Sequence, residues 1–354
     1  MNVYGWKIMQ NRFLSAVFAR LYLNTGNGKK AFGEFDGLCR ERFPIREYGL
    51  SEREKRKLFR HYLYLRFKFG ASMIDYFLYE FYRSSDFDVD RYMTERRRVQ
   101  LYNEADDRAY RHICGNKKDF YGVFSGFMQK ECLFVDGDGD REAFLRFVSD
   151  KEEIIAKPRD GQRGVGVLKL KVGTREDAER AWEICRKDAL VAEKVIEGCA
   201  ELQAFHPQSL NTVRVSTAVT KGGEVHIMAA TIRTGVDDNF VDNGHSRGVY
   251  AAIDPDAGII STIGYNANGE RFPRHPNTGV PFAGTQIPCW RELRALVTKA
   301  AGTVPQLRYV GWDWALDRDH NWILIEGNEP GGIDVHQHPG FVGRYRAYRE
   351  VLNG

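Results

Sequence analysis

The decisive stretch runs Tyr309-Val-Gly-Trp-Asp313-Trp-Ala-Leu316, a polar turn at Asp317 to Asn321, then Trp322-Ile-Leu-Ile-Glu326-Gly-Asn328-Glu329-Pro-Gly-Gly332. Both halves are apolar runs in strand-like alternation, which predicts a hairpin of two buried strands. Asp313 sits in the first strand. Glu326 and Asn328 stand two residues apart in the second, so they point to the same side of it. Three oxygen-bearing side chains on one face of a rigid sheet are ligands for a hard divalent cation, Mg²⁺ in particular. A surface hairpin with a solvated edge is the competing reading of the same residues.

Working outward, Glu152-Glu-Ile-Ile-Ala-Lys157-Pro158 reads as a short strand ending in a lysine. Arg159-Asp-Gly161-Gln-Arg-Gly164-Val-Gly166 follows, and then a second alternating strand, Val167 to Val172. The tip of such a hairpin presses backbone N–H groups against phosphate oxygens, and glycine allows the close approach. No Gly-Lys-Ser/Thr follows, so this is not a Walker A loop. Ala189-Leu-Val-Ala-Glu193-Lys194-Val195-Ile196-Glu-Gly198 reads as a strand running into a turn. It is either an ordinary buried strand or an extended backbone that pairs with an adenine edge, with Glu201 placed for ribose hydroxyls. Arg214 interrupts the apolar strand Asn211-Thr-Val-Arg214-Val. A buried strand arginine needs an anionic partner, either a structural carboxylate or a transferring phosphoryl group.

The order of these pieces, beginning from Lys117, resembles the ATP-grasp superfamily. His206-Pro-Gln-Ser-Leu-Asn-Thr-Val-Arg214-Val, Val241-Asp-Asn, His275-Pro-Asn-Thr-Gly, Ile287-Pro-Cys-Trp290, Gly311-Trp-Asp313 and Ile325-Glu-Gly-Asn328 resemble its sugar-transfer-associated branch, which is related to α-L-glutamate ligases. The resemblance covers roughly residues 60 to 350. It implies an α+β (mixed α/β) ATP-grasp fold, with two α/β lobes sandwiching ATP after a helical N-terminal region. The expected divisions are 1–115 (helical), 116–200 (small lobe) and 201–354 (large lobe).

The resemblance also implies roles. Lys117 and Lys157 would touch the triphosphate, and the turn carrying Gly161, Gly164 and Gly166 would fold over it. Glu193, Lys194, Val195 and Ile196 would line the adenine site, with Glu201 nearest the ribose acid. Arg214 would neutralise the transferring phosphoryl group beside Lys157. Asp313, Glu326 and Asn328 would hold one or two Mg²⁺ ions. The sequence departs from the family pattern at Gly244-His245-Ser246-Arg247-Gly248, where a plainer Gly-Gly turn is usual. His245 and Arg247 are therefore candidates for acceptor chemistry.

The 354 residues suffice for two or three domains, and 28% charged with 43% hydrophobic residues are ordinary globular values. Six scattered cysteines without C-x-x-C spacing read as reduced packing thiols. No apolar run of ~18 residues marks a membrane span. No charged head with an apolar core opens the chain, and a cytoplasmic protein is expected.

Charge is uneven. Residues 1–118 hold 24 Lys and Arg against 15 Asp and Glu, while the remainder holds 28 against 33. The basic part is helical in pattern, with a capping box at Ser51 and Glu54 and a cluster at Arg96-Arg97-Arg98. It is either a solvated helix face packed on the core or a peripheral contact for an anionic membrane or polymer. Nucleic acid is not expected, because no recognition motif is present. Helices are expected at Thr174–Lys187, Trp290–Ala301 and Gly340–Leu352.

Loops near 235–248, 264–286 and 327–340 are the expected acceptor-binding surface. They carry Arg233, His275, His336 and His338, the last two a candidate metal pair if they lie in a strand. The leading expectation is an ATP-dependent carboxylate–amine ligase with small-molecule or sugar-linked substrates. The alternatives are a kinase acting on a hydroxyl and a non-catalytic nucleotide- or polymer-binding module.

Overall fold

The computed structural model describes residues 10–160, 166–237 and 248–354. The chain begins with helices α1 (Arg12–Tyr22), α2 (Gly26–Glu41), α3 (Glu52–Phe69), α4 (Met73–Leu78), α5 (Asp86–Asp90) and α6 (Glu95–Ala105). Side-chain caps start several of them: Asn11 accepts from two backbone N–H groups of α1, and Ser51 and Glu54 form the expected capping box on α3. This region has its own aromatic core. Phe35 meets Phe77, Phe59 and Tyr76 with ring centroids 4.9, 5.3 and 5.7 Å apart. The Arg96–Arg98 cluster faces inward: Arg97 pairs with Asp90, Arg98 with Glu95, and Arg96 donates to the Phe67 carbonyl.

Helices α7 (His112–Gly115) and α8 (Lys117–Met128) lead into a four-stranded antiparallel sheet. Its strands are β1 (Cys132–Phe134), β2 (Glu153–Lys157), β3 (Leu168–Lys171) and β4 (Val191–Lys194), in the order β1-β4-β2-β3. Helices α9 (Arg141–Val148) and α10 (Arg175–Lys187) cover it, with Thr174 capping α10 and Phe144, Trp182 and Ile154 in the core.

After α11 (Ala200–Gln203) comes a seven-stranded antiparallel sheet, ordered β11-β10-β5-β6-β7-β8-β9. Its main strands are β5 (Thr212–Val219), β6 (Val225–Thr234), β7 (Val249–Ile253), β10 (Tyr309–Leu316) and β11 (Trp322–Asn328); β8 (Gly264–Tyr265) and β9 (Arg271–Phe272) are short. One face packs on α8 and α12 (Trp290–Thr303) through Val213, Val215, Trp312, Trp314, Leu324, Phe124 and Leu293. The opposite face meets α13 (Asp334–Gln337) and α14 (Tyr345–Asn353), where Tyr309 packs on Tyr348 at 5.3 Å.

Register places the site. Arg214 on β5 lies directly opposite Asp313 on β10, which lies directly opposite Glu326 on β11. Directly opposed residues share a face, so all three project to the side away from the Trp312–Trp314 core. A bulge makes this possible. Pairing shifts between Asp313 and Trp314, so Trp314 faces Leu324 and Ile325 is the extra residue. Leu324 therefore enters the core while Glu326, two residues on, stays on the polar face.

Candidate active site

Asp313 is 3% exposed and is gripped by two arginines. Arg214 donates through Nε to Oδ1 at 2.6 Å and through Nη2 to Oδ2 at 2.5 Å. Arg233 Nη1 donates to Oδ2 at 2.9 Å. Burial alone would raise the Asp313 pKa, but the two guanidinium groups hold it well below the usual carboxylate range. Arg233 was expected in a loop. It lies instead on β6, two residues beyond Thr231, the partner of Arg214 across the sheet, and so on the same face.

Asn328 Nδ2 lies 3.2 Å from both Asp313 Oδ2 and Glu326 Oε1. The hairpin thus brings together the three side chains singled out as metal ligands. Burial, and then the neighbouring Asp313 charge, raise the Glu326 pKa. The two carboxylates and, with its amide turned over, the Asn328 oxygen make a hard-oxygen donor set that would fit Mg²⁺. Gly331 crosses tightly above Gly311, where an added Cβ would meet the Gly311 nitrogen at 2.9 Å. The Tyr309 hydroxyl donates to the Gly331 carbonyl at 2.7 Å and fixes that crossing.

The small sheet supplies the second half. Lys157, at the end of β2, is buried and lies 2.8 Å from Glu193 Oε2 on β4. Lys130, just before β1, reaches the same oxygen at 2.9 Å. Nothing in the sequence points to Lys130, because its partner Glu193 lies 63 positions further on. Burial opposes all three charges. The two lysines nonetheless hold Glu193 down at about 2, and Glu193 holds Lys157 above the ordinary lysine value. Lys130 fares differently, and burial lowers it to about 8. Lys117 begins α8, where Asn116 caps the helix; its backbone N–H donates to the Arg159 carbonyl at 3.1 Å, and Asn116 Nδ2 donates to Asp160 at 2.8 Å. Burial, and then Lys157, lower the Lys117 pKa, while Glu326 and Glu193 act in the other direction. Glu326 of the large sheet and Lys117, Lys157 and Glu193 of the small-sheet side therefore share one electrostatic environment.

The remaining candidates divide. Gly166 has φ +77°, and a Cβ there would meet Pro158 Cγ at 2.9 Å, so the base of the turn needs glycine. Gly161, Gly164, His245 and Arg247 lie outside the described residues. Lys194 points outward and lies 3.8 Å from Glu131, while Val195 and Ile196 are half-buried beyond the end of β4. Glu201 is exposed on α11, with Oε1 3.0 Å from His320 Nε2. With Cys199 these two form, among the described residues, a group close enough to share an ion, apart from the Asp313 hairpin.

The expectation of His336 and His338 as a strand metal pair is corrected. They lie on and just after the short helix α13 and turn to separate partners, Thr231 Oγ1 at 2.8 Å and the Tyr250 hydroxyl at 2.8 Å. His275 is also buried, with Nε2 2.9 Å from the Gly235 carbonyl oxygen.

A second cluster missed by sequence reading braces the hairpin. Asp106 Oδ1 accepts from the backbone N–H groups of Arg308 and Tyr309 at 2.7 and 2.9 Å, at the start of β10. Arg111 lies 3.4 Å from Glu329, which directly follows Asn328, and stacks 3.8 Å over the Tyr102 ring. The helical region thereby holds both ends of the metal-type hairpin.

Two antiparallel sheets, one carrying lysines and the other an acid–arginine row, make up an ATP-grasp fold. The model of the sugar-transfer-associated ATP-grasp family matches residues 96–347, and the chain belongs to that family. No curated protein matches the chain. Among solved structures, it is similar to the ATP-grasp ligase PsnB complexed with a minimal precursor, at 16% identity and a TM-score of 0.44, covering 70% of this chain and 62% of that one. It is also similar to an L-amino acid ligase from Bacillus licheniformis (16% identity, TM-score 0.40, 68% of this chain and 48% of that one). A third is N5-carboxyaminoimidazole ribonucleotide synthetase from Thermotoga maritima (13%, 0.43, 72% and 54%). The chain thus spans less than two thirds of each of these proteins. No helix among the described residues is long and apolar enough to cross a membrane.

Proposed function

We propose that the protein is an ATP-dependent carboxylate–amine ligase that works through an acyl phosphate and modifies a sugar-linked or envelope-polysaccharide precursor with an amino acid or similar group. One observation carries the reading. Arg214, Asp313 and Glu326 stand in one cross-strand row, and Glu326 shares its electrostatic environment with Lys117, Lys157 and Glu193. Lysines and arginines set beside a hard-oxygen donor set suit a metal-bound triphosphate.

A carboxylate oxygen of one substrate attacks the γ-phosphorus of ATP, the bond to the β-phosphate oxygen breaks, and ADP leaves. The amine of the second substrate attacks the acyl carbon, the acyl–oxygen bond breaks, phosphate leaves, and the amine loses a proton as the amide forms. Lys157 and Lys117 orient the triphosphate, and Arg214 and Arg233 offset charge on the transferring group. The Asp313 grip keeps both guanidinium groups in fixed positions, so little reorganisation accompanies the transfer. Asp313, Glu326 and Asn328 would hold Mg²⁺, which would supply charge neutralisation for the phosphate oxygens.

The test is a screen of carboxylate and amine pairs with the purified protein and Mg-ATP, read by mass spectrometry. A product of amide mass with release of free phosphate is expected. A product that retains the phosphoryl group would replace the ligase by a hydroxyl kinase. Absence of Mg-ATP binding in calorimetry would leave a non-catalytic binding module.

A further inference from the structure

Helix α1 is amphipathic with its apolar stripe turned outward. Phe13, Leu14, Val17 and Leu21 are 74, 40, 41 and 65% exposed. The spacing 13, 17, 21 sets three of them on one face, with Leu14 beside it. The opposite face is already used: Ser15 and Ala19 are buried, and Phe18 meets Phe67 with ring centroids 5.3 Å apart. Four exposed apolar side chains within 11 helical residues are more than scattered surface positions explain.

The charge of the first 33 residues is one-sided. The first acidic residue of the chain is Glu34, and the 33 residues before it carry Lys7, Arg12, Arg20, Lys29 and Lys30. Arg20 lies seven residues from Phe13, within the apolar face. Arg12 borders it and lies 5.6 Å from the Tyr64 ring centroid. Lys29 and Lys30 are exposed in the first turns of α2. Elsewhere in the basic half, Arg96, Arg97 and Arg98 are engaged by carbonyls and carboxylates of the fold. Arg20, Lys29 and Lys30 are thus exposed cations on the same two N-terminal helices as the stripe.

We propose that α1 is an interfacial anchor: Phe13, Leu14, Val17 and Leu21 insert into the headgroup boundary of an anionic lipid surface, with Arg20, Lys29 and Lys30 on lipid phosphates. The occupant follows from charge. A second copy of the chain would bring cations against cations, whereas an anionic leaflet offers an apolar layer directly beneath a sheet of negative charge. Arginine and lysine stems lie along the apolar side chains while their heads reach the phosphates. The length also fits. Eleven residues rise about 16 Å, enough to lie in the interface and too short to span it.

The experiment is co-sedimentation of the full chain with vesicles of phosphatidylcholine, alone or with about 30% phosphatidylglycerol, a composition that gives a clear surface potential. Binding to the anionic vesicles is expected to exceed binding to neutral ones by at least about tenfold, and to fall as salt rises from about 0.1 M to about 1 M. Phe13→Glu combined with Leu21→Glu should abolish it while the thermal midpoint and Mg-ATP binding stay unchanged, because both side chains are exposed. Lys29→Glu combined with Lys30→Glu should weaken it at low salt and leave little salt dependence. Equal sedimentation with neutral and anionic vesicles would overturn the proposal. So would a double glutamate variant that binds like the parent chain. A dimer in light scattering that this variant dissolves, with no vesicle binding in the parent, would assign the stripe to a second copy instead.

Discussion

The two sheets meet the same electrostatic demand with different side chains. On the small sheet, Lys157 and Lys130 share one oxygen of Glu193. On the large sheet, Arg214 and Arg233 share Asp313, and a second carboxylate, Glu326, stands beside it. Arginine keeps its charge and offers a planar fork, so the Asp313 cluster is a clamped platform. Lysine is a point charge on a flexible stem, and burial already brings Lys130 down to about 8. On the proposed reading, the small-sheet cations exchange Glu193 for a phosphate oxygen more readily than the arginines leave Asp313, so one side holds geometry and the other accepts the ligand.

The hardest test of that contrast is Asp313→Asn. It removes the carboxylate that both part-buried guanidinium groups grip, so stability should fall by about 2 to 4 kcal/mol. ATP turnover should fall by on the order of a thousandfold, since a metal ligand and the arginine anchor go together. Urea unfolding and a phosphate-release assay read the two effects. An unchanged unfolding midpoint would mean that the arginines find other partners and the platform is not clamped.

Glu326→Gln should separate function from stability. Turnover should fall by on the order of a hundredfold. The thermal midpoint should hold or rise, because burial and the Asp313 charge already disfavour the Glu326 carboxylate in the folded state. A large loss of stability would contradict the picture of a carboxylate waiting for a cation.

Glu193→Gln probes the small sheet through pH. The folded pKa of Glu193 is about 2 against an ordinary 4.5, a depression worth about 3 kcal/mol for this buried group. Because the pKa is lowered, that stability is complete above pH 4.5 and is lost as pH falls toward 2. Wild-type protein should lose it across that window in urea titrations, and the glutamine variant, already without it, should not. Parallel pH curves for the two proteins would remove Glu193 as the anchor of the lysine pair.

The smallest effect belongs to the backbone. Gly166→Ala should cost about 1 to 2 kcal/mol from its positive φ, with added pressure on Pro158, and should weaken Mg-ATP binding in calorimetry. Unaltered binding would detach the turn from the nucleotide.

Much of this was legible in the residues. The β10–β11 hairpin, the arginine in β5, the lysine before the glycine turn and the helix after Thr174 follow from alternation, capping and the penalty on unpaired buried charge. Three features were not. The bulge at Asp313 is invisible to simple alternation, which places Leu324 and Glu326 on one face. Arg233 looked like a loop residue because β6 runs into a glycine- and asparagine-rich segment. Lys130, Asp106 and Glu329 carry no local pattern, since their partners lie far along the chain.

The sequence alone determined which strands exist and which of them carry a charge that must be matched, because side-chain period and desolvation cost act over a few residues. Which charges meet was decided only by the folded molecule. Cross-strand register, one extra residue in β11 and the approach of the two sheets set distances of about 3 Å between groups up to a hundred positions apart. Coulomb energy at such range depends on that spacing, which no local pattern encodes.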